Sequence, residues 1–123
     1  MRKLLLALVL SGAALPVAGQ QQQQKTYAVY MSIPCEAYLQ ERWDREGVRY
    51  KQIQAWISGY VTAYNGWQGD THDILGAGGV ANAEAWVENY CRANPLNNLS
   101  NAMAELIGGL YAGRQRSAID AAH

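Results

Sequence analysis

Apolar side chains recur three or four positions apart in four stretches of the chain, the spacing that places residues on one face of a helix. The predicted helices cover approximately residues 34–45, 50–67, 82–94 and 98–111. Pro95, just beyond the third stretch, fits this boundary because the residue before a proline disfavours helical geometry. The glycine-rich residues 68–81 are predicted to form a loop. Because no repeat or second domain is visible, the pattern predicts one small all-α, four-helix domain at residues 34–112.

The inner stripes of the predicted helices assign several large side chains to the core. Trp56 and Tyr60 fall on the stripe of the second helix, and Trp86 falls on that of the third. The fourth helix carries Met103 and Leu106 on its apolar face. We therefore expect both tryptophans to be largely buried.

Gly59 lies inside the second predicted helix. Glycine in a helix interior costs about 1 kcal/mol relative to alanine. We therefore expect another helix to approach this position closely.

The first nineteen residues show the three parts of a cleavable secretory signal. Arg2 and Lys3 precede an apolar run at residues 4–10, and small residues follow up to Gly19. A retained membrane anchor is the alternative, but the run is shorter than the roughly 20 residues that span a bilayer. The sequence predicts a signal peptide at residues 1–19 and a mature protein in a periplasm or outside the cell.

Two segments that flank the helical domain are predicted to lack fixed structure. Residues 20–33 begin with a run of glutamines that has nothing to bury, so we expect a disordered or extended leader. Residues 113–123 follow the last helix and carry few charges, so we expect a flexible tail.

The charge balance argues against nucleic acid as a partner. The whole chain has ten basic and ten acidic residues. Loss of Arg2 and Lys3 with the signal peptide leaves eight basic residues against the ten acidic ones, a net charge of about −2. Nucleic-acid-binding domains usually carry a basic patch, which this balance does not indicate. No further segment predicts a membrane span after signal cleavage.

Cys35 and Cys91 are the two cysteines of the chain. In an exported protein an even cysteine count favours an intramolecular disulfide, with free thiols or an intermolecular bridge as alternatives. A bridge between them would stabilise the fold by roughly 4 kcal/mol in the chain-entropy model. Two cysteines and two scattered histidines do not make a zinc site.

The sequence does not indicate enzyme chemistry. His72 lies in the loop among aspartates, where a solvated side chain is expected and a metal ligand is the alternative. Glutamates at helical spacing are typical of an exposed polar face, and the cysteines are committed to the bridge. We therefore expect no catalytic residue, no cofactor and no bound metal.

Aromatic content is the unusual feature, with four tryptophans, eight tyrosines and no phenylalanine. Tryptophan and tyrosine combine apolar area with a polar tip, which suits interfaces as well as cores. Trp43 and Trp67 lie at predicted helix ends, off the inner stripes, and are the better candidates for a surface that meets another protein. The full set of candidate residues for binding a client or partner is Trp43, Trp56, Tyr60, Trp67, Trp86, Met103 and Leu106.

Residues 86–99, Trp-Val-Glu-Asn-Tyr-Cys-Arg-Ala-Asn-Pro-Leu-Asn-Asn-Leu, resemble a stretch of the HdeA/HdeB family of periplasmic acid-stress chaperones. Cys35-Glu36 with the following Tyr38 and Leu39 is similar to the first cysteine motif of that family, and residues 73–76 are similar to its short acidic turn. The resemblance implies a small helical protein, dimeric near neutral pH, that loosens in acid and holds unfolding client proteins. It implies the Cys35–Cys91 bridge and apolar helical faces, and no catalytic residues.

A second class of function stays open. Residues 57–61, Ile-Ser-Gly-Tyr-Val, resemble the second helix of Rap/Tai-type immunity proteins, which neutralise one secreted effector by binding it. The two classes differ in partners, since a chaperone protects many unrelated proteins in acid and an immunity protein binds one.

Overall fold

A computed structural model describes residues 27–120 of the protein. Its four α-helices are α1 (Cys35–Glu41), α2 (Val48–Trp67), α3 (Gly79–Ala93) and α4 (Leu99–Leu110). Single 3-10 turns at Gly76–Gly78 and Tyr111–Gly113 precede α3 and follow α4. The predicted all-α fold is confirmed. The predicted signal peptide, the glutamine run and the last three residues of the tail lie outside the described residues.

The helix boundaries depart from the pattern at two ends. Helix α1 ends at Glu41 instead of continuing to about residue 45, because successive turns take over: Asp44 N donates to Glu41 O, and Gly47 N to Asp44 O. Helix α3 begins at Gly79, before the predicted start at Asn82. Gly79 has φ 55° and ψ −159°, a conformation that favours glycine, so the entry to α3 depends on this residue.

Helix α3 lies at the centre of the fold and packs against both α1 and α4. The buried cluster between the helices includes Ile57, Val87, Leu99 and Met103, each almost without exposed surface. Full burial of such side chains stabilises a fold by about 1.5–3 kcal/mol each. Tyr38 of α1 belongs to the same cluster, so the core draws on all four helices.

Cys35 and Cys91 form the predicted disulfide, with their Cα atoms 4.9 Å apart. Both residues are fully buried. The bond joins the first residue of α1 to a position near the end of α3. It therefore closes a loop that contains α1, α2 and most of α3.

Backbone pairing beside the disulfide holds the start of α4 against the start of α1. Cys35 N donates to Asn97 O at 2.9 Å, and Leu99 N donates to Ile33 O at 2.9 Å. Asn98 lies between the acceptor Asn97 and the donor Leu99, and it is the N-cap of α4. Its Oδ1 accepts from Asn101 N at 3.1 Å, which satisfies a free donor of the first turn.

The structure corrects the predicted burial of Trp86 and the predicted role of Gly59. Trp86 is 36% exposed, while Trp56 is partly buried against the core. A Cβ atom added to Gly59 would meet nothing within 4 Å. Gly59 therefore faces open space, and no helix approaches it.

The predicted flexible tail is wrong for its first residues. Arg114 is buried, 8% exposed, and its guanidinium lies 3.8 Å from the centre of the Tyr111 ring. Gln115 pairs with Asp73, each accepting a backbone hydrogen bond from the other. These contacts fasten the chain after α4 to the loop that follows α2.

We predict that Asn98→Ala lowers the free energy of unfolding by about 1 kcal/mol, because the first turn of α4 loses its side-chain acceptor. Urea denaturation measures the loss. Asn89→Ala, at an exposed position of α3, is the control and should change stability by less than about 0.5 kcal/mol. Equal effects of the two changes would contradict the capping role.

Candidate functional site

Three apolar surfaces of the folded domain bring together most of the candidate binding residues. The first, the Trp43 surface, is an open groove of about 560 Å³ lined by Leu39, Trp43, Pro95 and Leu96. Trp43 is 79% exposed and Leu96 is fully exposed. Sequence reasoning identified Trp43 but missed Leu96, because an isolated apolar residue in a turn has no periodic neighbours.

The second surface, the strap cleft, lies between α2 and residues 27–31, which we call the strap. Trp56 and Tyr60 form the α2 side of the cleft, with ring centroids 5.4 Å apart and planes tilted by 42°. Both rings are partly buried against the core, so each has one side on the core and another on the cleft. The sequence identified both residues, although it assigned them to the core.

The third surface, the Trp86 groove, has a volume of about 190 Å³ and is lined by Trp86, Leu110 and Leu106, of which Leu106 is only 5% exposed. The Trp86 ring stacks on that of Tyr90, with centroids 5.4 Å apart and planes 19° apart. This stacking orients an exposed indole at the junction of α3 and α4.

The two remaining candidates lie apart from these surfaces. Met103 is fully buried in the core, where another protein could reach it only if the domain opened. Trp67 ends α2 and is 87% exposed. The structure therefore divides the predicted set into surface residues and core residues.

Carboxylates join the helices that pack against each other. Glu88 of α3 pairs with Arg42 beyond α1 and with Arg92 of its own helix, the latter at 2.7 Å. The Arg92 hydrogen bond, helped by the Arg42 charge, holds the pKa of Glu88 below its usual range against the opposing effect of burial. Glu41 pairs with Arg49 at 2.8 Å between α1 and α2, and Tyr90 donates to Glu105 at 3.4 Å between α3 and α4.

A second polar contact joins α3 to α1 and α2 through Glu84. Tyr50 donates its hydroxyl to Glu84 Oε2 at 3.0 Å, and Tyr38 donates to the Glu84 carbonyl oxygen at 3.1 Å. Burial, with the Glu84 charge nearby, raises the pKa of Tyr38 to about 12. Both tyrosines therefore stay protonated and act as donors throughout the physiological pH range.

Sequence reasoning missed the contacts of Arg114 with the loop that follows α2. Its Nη2 donates to Asp70 Oδ2 at 2.8 Å, and its Nε donates to Thr71 Oγ1 at 3.1 Å. The hydrogen bond to Asp70 raises the pKa of Arg114 above its usual value, so the guanidinium stays charged. Asp70 adopts φ 57°, an uncommon conformation for a residue with a side chain. We call this arrangement the Arg114 clamp, since it joins the chain after α4 to the loop after α2.

His72 lies in the same loop and is exposed. Its backbone N donates to Gln115 O at 2.8 Å. Between residues 27 and 120, no three histidine, cysteine, aspartate or glutamate side chains are grouped in a way that could hold a metal ion. Within the same range, no helix is long and apolar enough to cross a membrane.

Comparisons of the chain with protein-family models, curated proteins and solved structures find no match. The relationship to HdeA/HdeB therefore stays a prediction.

We predict that Arg114→Ala lowers the urea midpoint of unfolding, because Asp70 and Thr71 lose their partner at a buried position. Arg116→Ala is the matched control, since Arg116 lies two residues further on and is exposed. The midpoint should fall clearly for Arg114→Ala and stay nearly constant for Arg116→Ala. A fall of the same size in both variants would show that the clamp adds no stability.

Proposed function

We propose that this protein is an exported, acid-activated chaperone that holds unfolding clients in the periplasm. In this proposal the domain is closed near neutral pH and loosens when its carboxylates are protonated. Its core faces then bind apolar segments of client proteins, while the disulfide limits how far the chain opens.

The observation that carries the proposal is the dependence of helix packing on carboxylates. Carboxylate contacts link α1 with α2, α1 with α3, and α3 with α4. Another joins the chain after α4 to the loop after α2, through Asp70 and Arg114. A protonated carboxyl group carries no charge, so strong acid weakens the ion pairs among these contacts.

The sign of the pH effect follows from Glu88. Its pKa is lowered in the folded protein, so its contacts contribute stability above the pKa of the unfolded chain. That contribution is lost as the pH falls through the folded pKa. Stability from this group therefore decreases towards acid, as the proposal requires.

Charge repulsion acts in the same direction. With the signal peptide removed, eight basic residues and two histidines remain charged in acid while the ten acidic residues become neutral. The net side-chain charge then changes from about −2 towards about +10, which favours expansion. The disulfide is covalent and does not titrate, so α1 and α3 stay joined during this expansion.

The faces that would become available are those of α2 and α4. Leu106 and Ile107 are buried in the closed domain, as is Met103 beside them. The flexible side chain of methionine adapts to many partner shapes, which suits binding of unrelated clients. The buried disulfide supports export to an oxidising compartment, and the predicted signal peptide points to the same location.

The Trp43 surface supports a second candidate function, binding of one effector by an immunity protein. Trp43 and Leu96 are exposed in the closed domain, so this surface needs no acid to meet a partner. Exposed aromatic residues are frequent at the centre of specific protein interfaces. This candidate differs from the chaperone in having one partner and full activity at neutral pH.

Light scattering of unrelated clients tests the proposal. We expect an equimolar amount of the protein to suppress client aggregation at about pH 2 to 3 and to have no effect near neutral pH. A Cys35→Ala/Cys91→Ala variant is the matched control and should protect less, because its acid state is more expanded. Absence of protection in acid, with tight binding of one secreted protein at neutral pH, would favour the immunity function.

Glu88→Gln tests the carboxylate mechanism directly. Near neutral pH the variant should be less stable than the parent by about 1 kcal/mol, because the charged acceptor of Arg42 and Arg92 is gone. The difference should shrink as the pH falls through the lowered pKa of Glu88, where the parent loses the same charge. Glu46→Gln, whose side chain is 90% exposed, is the control. Urea unfolding at a series of pH values measures both, and a pH-independent difference would contradict the mechanism.

A further inference from the structure

Arg114 is a buried cation that depends on one exposed carboxylate. Its side chain is 3% exposed, whereas that of its partner Asp70 is 57% exposed. The three guanidinium nitrogens each donate a hydrogen bond, to Asp70 Oδ2, Thr71 Oγ1 and the Tyr111 carbonyl oxygen. Of these three acceptors, only the Asp70 carboxylate carries a charge. Solvent therefore reaches the anion of this pair, while the cation is shielded from it.

Between residues 27 and 120, Asp70 is the one acidic residue in an ion pair with Arg114. The other titratable groups that act on the guanidinium are the phenols of Tyr64 in α2 and Tyr111 after α4. Tyrosine is neutral in acid and near neutral pH, and arginine keeps its proton throughout. When Asp70 is protonated, Arg114 therefore keeps its charge, has no counter-charge among these groups and stays shielded from water.

The Arg114 clamp joins the C-terminal ends of two helices that are packed against different neighbours. Asp70 follows the end of α2 by three residues, and Arg114 follows the end of α4 by four. Helix α2 packs most closely against α1, whereas α4 packs against α3. Gln115, next to Arg114, exchanges backbone hydrogen bonds with Asp73 in the loop after α2. Loss of the clamp would therefore release the chain after α4 from this loop.

We propose that the Arg114 clamp is a pH-sensitive latch, in which protonation of Asp70 moves the Arg114 side chain into water and detaches residues 114–120 from the loop after α2. A buried charge that loses its partner is strongly destabilising, so exposure of the guanidinium to solvent lowers the free energy. The C-terminal ends of α2 and α4 then lose the contact between them. The disulfide still joins α1 to α3.

The latch rests on the proposed function only for its use, since a separated end of α2 and α4 would give clients a way to the core faces. The release itself follows from the clamp alone. Detachment of the chain after α4 and protection of clients in acid are separate measurements, so either can fail without the other.

Amide hydrogen exchange, followed by NMR on the full mature protein, measures the latch. The backbone N–H groups of His72 and Gln115 report on it, because each donates across the clamp. Val87, fully buried in α3, reports on unfolding of the whole domain. In the parent near neutral pH, the two clamp amides should exchange through a smaller opening than Val87 does. Equal opening free energies at all three amides would overturn the proposal, because the clamp would then open only with the whole domain.

Asp70→Asn removes the charge and keeps the shape and a carbonyl acceptor, and asparagine accepts the φ of 57° at this position. Near neutral pH the variant should lower the protection of both clamp amides by about tenfold or more, since Arg114 loses a charged hydrogen-bond partner. Asp120→Asn is the matched control. The Asp120 carboxylate accepts from Arg116 N and Ser117 N in the same segment, so this change should leave the clamp amides within about twofold of the parent. Unchanged protection in Asp70→Asn would overturn the latch.

The pH profile separates a latch from a contact that is merely structural. As the pH falls, the parent loses the charge that Asp70→Asn lacks at every pH, so the protection of the clamp amides in the two proteins should converge. A difference between them that stays constant with pH would overturn the assignment of Asp70 as the pH-sensing group.

Discussion

The disulfide between Cys35 and Cys91 is the constraint on which the other contacts of this domain depend. Helix α1 has only seven residues, which is too short to be stable by itself. Its first residue is fixed covalently to α3, and the backbone bonds between residues 33–35 and 97–99 lie directly beside the bond. The bridge therefore places α1 on α3 and the start of α4 in one step, and Arg42 and Glu88 meet because of it.

Periodicity predicted the helices well and their edges less well. The buried stripe of α3 consists of Ala83, Val87, Tyr90 and Cys91, and the spacing of these residues was visible in the sequence. Trp86 lies at the margin of that stripe. At such a position, helical periodicity alone does not predict whether a neighbouring element covers the side chain. In the fold its side chain is 36% exposed.

Contacts between distant parts of the chain were the features that sequence reasoning missed. In the sequence, Arg114 is one charged residue in a polar tail. Its partner Asp70 lies 44 positions earlier, in a glycine-rich loop. Neither residue has a periodic neighbour that predicts their meeting. For Gly59 the sequence predicted a contact that the fold does not contain. A glycine inside a helix suggested a close helix contact, but Gly59 borders an open cleft. The local sequence pattern predicts the backbone conformation of such residues, but it does not predict which residues pack against them.

The placement of apolar surface separates two kinds of binding in one small domain. Met103 and Leu106 are closed off by helix packing, and that packing depends on carboxylates that acid neutralises. The strap cleft and the Trp43 surface are open while the same carboxylates are charged. In the proposed function the buried faces would bind clients in acid, whereas the Trp43 surface is already exposed in the closed domain.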